Sequence, residues 1–183
     1  MNTVKLSYLV MLATLLTGCS FNCSIGESKP VKARTVSSGD STTLSGAVIK
    51  NDIDLEATAV KVSQVYLLDA NKNLLEENIT RVNEKIYVVI KTDTGWVKEN
   101  GKSYIGASER ILTSAGRVIV DAADIFLDYE SSGIPADDAG LISLSAVITQ
   151  ADPGLENFTV QFRVWDKKGK GEIKGKYKFR IKN

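Results

Sequence analysis

The chain has 183 residues, with 23 Lys and Arg against 22 Asp and Glu for a net charge of +1. So even a balance excludes a general nucleic-acid or polyanion binder, which would carry a basic excess. The chain has no histidine and only two cysteines, which excludes Ser-His-Asp and Cys-His nucleophilic machinery and the usual zinc and copper ligand sets.

In chain order, residues 1–18 (MNTVKLSYLVMLATLLTG) place Lys5 ahead of an apolar run from Tyr8 to Leu16 and end in small residues. The run is too short to span a bilayer and has the layout of a secretory signal peptide. With the next residue, Leu16-Thr17-Gly18-Cys19 resembles the lipobox of bacterial lipoproteins. The resemblance covers only this N-terminal segment. It implies diacylglyceryl attachment to Cys19, cleavage before it, and acylation of the new N-terminus with a fatty acid such as palmitate. Two or three acyl chains would hold the protein on a membrane, whereas one anchors only marginally. Ser20 stands where an Asp would signal inner-membrane retention, so the expected address is the outer membrane of the cell envelope, facing the periplasm.

Loss of the leader removes Lys5 and leaves 22 basic against 22 acidic residues. Residues 19–43 are rich in Ser, Thr, Gly and Lys, with Pro30, and read as the lipidated N-terminus and a flexible tether. About 24 such residues have a root-mean-square reach of about 25 Å. Cys23 falls in this tether, so no disulfide is expected to brace the domain that follows.

From residue 44 to 183 the pattern becomes short β-type runs between turns. The expected strands are 45–50, 58–68, 85–92, 110–113, 116–120, 125–129, 141–149, 158–165 and the C-terminal run 172–183. Turns are read at 69–73 (DANKN), 114–116 and 166–171 (DKKGKG), with a loop at 130–140. In 158–165, Phe158, Val160, Phe162 and Val164 alternate with Thr159, Gln161, Arg163 and Trp165, the period of a strand with one buried face. Many such strands without a convincing amphipathic helix predict an all-β domain of two packed antiparallel sheets. The domain resembles the immunoglobulin-like sandwiches of bacterial surface proteins, with a lipocalin-like barrel as the alternative; the likeness is architectural and transfers no function.

Candidate sites follow from charge. In EIKGKYKFRIKN, residues 172–183, Ile173, Tyr177, Phe179 and Ile181 share one face, and Lys174, Lys176, Lys178, Arg180 and Lys182 share the other. Cations on alternate positions stand about 7 Å apart, within a Debye length, and repel one another. Three readings account for them: lysines guarding an edge strand against aggregation, pairing with the acidic stretch 121–156, or docking of an anionic partner. Trp165 points to the same side as Arg163, next to the basic turn, as an interface anchor or sugar-stacking platform would. Trp96 is read as a strand-end cover.

Asp121, Asp124, Asp128, Glu130, Asp137, Asp138, Asp152 and Glu156 lie in a stretch without basic residues. Their spacing singles out no acid and base pair for glycoside hydrolysis, and no EF-hand is present. Asp137 and Asp138 are the candidates for a calcium ion, which takes six or more oxygens. The sequence thus reads as a non-catalytic, membrane-anchored binding or assembly module with an envelope protein or glycan as partner and no nucleic acid. The alternative is a calcium-dependent or carbohydrate-binding domain, and calcium is the only cofactor in view.

Overall fold

A computed structural model describes residues 44–150 and 156–182. The signal peptide, Cys19, Cys23, the tether and Asp152 lie outside the described residues. In chain order the strands are β1 (Val48–Ile49), β2 (Asp54–Thr58), β3 (Lys61–Leu68), β4 (Ile79–Thr80), β5 (Lys85–Thr94), β6 (Lys102–Ser103), β7 (Ile105–Thr113), β8 (Val118–Ala122), β9 (Ile134–Pro135), β10 (Leu141–Val147), β11 (Asn157–Asp166) and β12 (Glu172–Ile181).

They build two principal sheets. One runs β1-β3-β5-β10; the other runs β2-β12-β11-β7-β8, with β4 also paired to β12. Most ladders are antiparallel, and the short β1 and β4 pair in parallel. Both sheets feed one core. Val65, Leu67, Val88, Ile90 and Leu144 come from the first, and Leu55, Val160, Phe162, Val164 and Tyr177 from the second. The fold is therefore an all-β sandwich, as the alternation implied.

Strands β11 and β12 show why the pattern was readable. Every second side chain of β11 from Phe158 to Asp166 is buried, and β12 buries Ile173, Tyr177, Phe179 and Ile181. The rings of Phe158 and Phe179, opposite one another in the ladder, stack with centroids 5.5 Å apart. Such cross-strand aromatic pairs add to the sheet's stability beyond simple area burial. Asn51 and Asn78 link the sheets: Asn51 Oδ1 accepts from the Leu67 amide, while Asn78 Nδ2 donates to the carbonyls of Asn51 and Lys178.

Three expectations need correction. Residues 125–129 do not form a strand. Asp124 Oδ1 accepts from the Phe126 amide and starts a turn, Leu127–Tyr129 is a short 3-10 helix, and only Phe126 packs on the core. A short acidic side chain capturing the backbone two residues on competes in this way with extended pairing. Strand β7 begins at Ile105, not at residue 110, because its small residues Gly106, Ala107 and Ser108 are held in the ladder by β11. Lastly, β12 is an interior strand. Strand β2, where no strand was expected, pairs with its outer side from Lys176↔Asp54 to Glu172↔Thr58. Guarding a free edge is therefore not what the lysine row does.

Candidate functional site

The register of the larger sheet assembles its outer face in rows across the strands. Glu56, Lys174, Arg163 and Ser108 stand side by side in one row; Asp54, Lys176, Gln161, Arg110 and Asp121 form the next. Directly opposed side chains of neighbouring strands lie about 5 Å apart at Cβ, so each row is a continuous strip of polar groups. All of these residues except Asp121 line a shallow hollow of ≈ 330 Å³.

Charges in and beside the hollow are partly paired. Glu172 accepts from Arg163 Nε and lies 2.7 Å from Lys174 Nζ, which separates two like charges that directly oppose one another. The Lys174 hydrogen bond, with that of Arg163, holds the Glu172 carboxyl below the usual range. Lys176 reaches Asp54 at 3.1 Å and Arg110 reaches Asp121 at 3.3 Å. All of these pairs are solvent-accessible and each contributes little to stability. Farther along β12, Lys178 and Arg180 are exposed and form no ion pair among the described residues.

Six predicted residues, Trp165, Arg163, Lys174, Lys176, Lys178 and Arg180, thus lie on one face, but only Arg163, Lys174 and Lys176 line the hollow. The indole of Trp165 lies over Gly106, where any Cβ would clash with the ring. The Arg163 guanidinium sits over that indole, 4.8 Å from its centroid, a cation–π contact that orients both side chains. Arg110, Ser108, Gln161, Asp54 and Glu56 were missed as site residues. Gln161 shares the outer face of β11 with Arg163 by simple alternation, whereas the other four come from β2 and β7, which no spacing along the chain marks as neighbours.

The acidic stretch is dispersed. Asp124 is structural: burial opposes its charge, but Lys167 at 2.7 Å and the amides of Phe126 and Ala107 outweigh that and lower its pKa. This ion pair joins the basic turn after β11 to the acidic stretch. Asp137 and Asp138 open a short 3-10 turn. Asp137 lines a second hollow of ≈ 260 Å³ with Asp93 and Lys98, and Asp93 is paired to Lys61 at 3.2 Å. Among the described residues no group of three or more acidic side chains is placed to hold a metal ion. Trp96 is buried, with its indole N–H donating to Thr92 Oγ1 at 3.0 Å; it belongs to the core.

No protein-family model matches the chain, and no curated relative matches it. Among solved structures the chain is similar to the crystal structure of the C-terminal domain of wzt, at 8% identity and a TM-score of 0.45, over 80% of this chain and 87% of that one.

Proposed function

We propose that the chain is a lipid-anchored envelope protein whose β-sandwich is a non-catalytic binding module, docking an anionic partner on the outer face of the larger sheet. The observation that carries this reading is the position of β12. Its cations stand on an interior strand, hydrogen-bonded on both sides, so edge protection does not account for them. Exposed and mutually repelling, Lys178 and Arg180 gain most from an incoming anion. The neighbouring hollow adds guanidinium forks from Arg110 and Arg163, the geometry suited to carboxylate or phosphate oxygens.

The partner is an envelope protein or glycan that carries acidic groups, and the membrane contact is made by acyl groups on Cys19. Calcium-dependent glycan binding is the weaker alternative, since Trp165 already carries Arg163 over its ring.

Crosslinking in intact cells tests the docking face. Lys178→Glu combined with Arg180→Glu should reduce the captured partner by about tenfold, while the melting temperature shifts by no more than a few degrees, because both side chains are exposed. Capture unchanged by the double substitution would sink the docking reading. The anchor is tested separately by mass spectrometry of the N-terminal peptide: a diacylglyceryl-modified Cys19 is expected, and an unmodified N-terminus in protein released to the medium counts against it.

A further inference from the structure

We propose that the outer face of the smaller principal sheet lies on an anionic lipid surface, the membrane that holds the acyl groups of Cys19. The hollow of the larger sheet then faces away from that membrane. The inference rests on the anchored reading above. The register of this sheet sets Val48, Gln64, Lys91 and Leu141 in one row across β1, β3, β5 and β10. Tyr66 and Ser143 flank Val89 in the next row, and Leu68 and Ser145 flank Tyr87 in the third. Outside residues 118–129, every large apolar side chain exposed among the described residues, Val48, Leu74 and Leu141, belongs to this face, Leu74 through its bridge to Leu68.

The face is also cationic. Lys72, Lys85 and Lys91 form no ion pair among the described residues. Lys72 Nζ lies 3.0 Å from the centroid of the Tyr87 ring, and Lys91 Nζ 5.8 Å from that of Tyr66. The carboxylates nearest to these lysines in sequence are engaged elsewhere. Asp93 pairs with Lys61 at 3.2 Å, Glu84 with Arg81 at 3.4 Å, and Asp69 accepts from the amides of Asn71 and Asn73 in its own turn. Asp93 is also the only acidic residue in the four strands. The outer face of the larger sheet is different, since Asp54, Asp121 and Glu172 there pair with cations in the hollow.

Aliphatic side chains, tyrosines and lysines without a free carboxylate suit the boundary between lipid headgroups and acyl chains. Tyrosine rings settle at that depth. Lysines lay their stems along apolar surface and carry the ammonium out to phosphate, and an anionic leaflet attracts each of them within a Debye length. The point where the chain enters the domain selects the membrane of the anchor. The described residues start at Leu44, which packs on the core, and a turn closed by the Ala47 amide on the Leu44 carbonyl leads straight into β1, the edge of this sheet. With a root-mean-square reach of about 25 Å for the tether expected over residues 20–43, the anchor keeps β1 next to the lipid.

Lysine acetylation of the full lipidated chain, read by mass spectrometry, tests the contact. On vesicles of phosphatidylcholine with phosphatidylglycerol, Lys72, Lys85 and Lys91 should be modified about fivefold more slowly than in mild detergent, while Lys176 and Lys178 on the opposite face keep their detergent rates. The protection should fade on phosphatidylcholine alone and in about 1 M salt, where the Debye length is about 3 Å. Lys72→Glu with Lys85→Glu should abolish the protection of Lys91 and leave the melting temperature within a few degrees of the wild type, because both side chains are exposed. Equal rates on vesicles and in detergent, or protection of Lys176 and Lys178 in their place, would overturn the proposal. So would protection that grows with protein concentration in the absence of lipid, the mark of a protein partner or a second copy. The mass of the Cys19 peptide from the same digests separates the two claims. An unmodified Cys19 sinks the anchored reading and this inference together, whereas a diacylglyceryl-modified Cys19 without protection sinks this inference alone.

Discussion

Raising the pH from about 4 to about 8 is expected to remove about 3 kcal/mol of stability through one side chain, Glu109, and Glu109→Gln should abolish that component. Glu109 lies on the core face of β7, only 4% exposed, with Phe162 opposite it in one ladder and Ala122 in the other. Burial pushes its carboxyl from 4.5 up to about 7, because a low-dielectric interior disfavours the ionised form. Below 4.5 both the folded and the unfolded chain hold the proton, and the contribution is complete. Between 4.5 and about 7 the unfolded chain ionises first, so stability falls with rising pH. Above about 7 both states are ionised and the loss is complete.

Asp124 and Glu172 act in the opposite sense. Their carboxyls are held low, and their contributions are lost on acidification. Urea unfolding across this pH range is therefore to be read as the difference between wild type and Glu109→Gln. A variant that keeps the wild-type slope between 4.5 and 7 would refute the assignment. Tyr177 shares this interior: its hydroxyl is buried without a hydrogen-bond partner among the described residues, and burial, with the Glu109 charge, raises its pKa well above the ordinary value.

The second large effect is at Gly175. It stands opposite Phe162 on the core face of β12, and a Cβ there would clash with the tip of the Phe162 ring. The missing side chain is what lets that ring lie across the strand, next to Tyr177 with centroids 6.4 Å apart. Gly175→Val is expected to cost about 3 kcal/mol, as overpacking of a dense core does. Combining it with Phe162→Leu should recover part of that loss, since the two residues compete for one volume. Denaturant titration of the two single variants and the double variant measures the coupling. Additive losses, or a Gly175→Val protein within about 1 kcal/mol of the wild type, would show that the ring has room to move.

The amino-acid sequence by itself determined the period-two strands and which face each presents. Ile173, Tyr177, Phe179 and Ile181 went inward, and the alternate cations outward, because side-chain alternation is a local property of extended backbone. It also placed Trp165 beside Arg163 on the outer face. What only the tertiary structure decided was adjacency. Strand β2 carries just two inward residues, Leu55 and Ala57, too few to mark a strand, yet its pairing with β12 more than a hundred residues away turns a supposed edge into the middle of a sheet. The hollow likewise gathers residues from four strands. Backbone hydrogen bonds join strands with little regard to side-chain identity, so the choice of neighbour, and with it the site, rests on how two whole sheets close over one core.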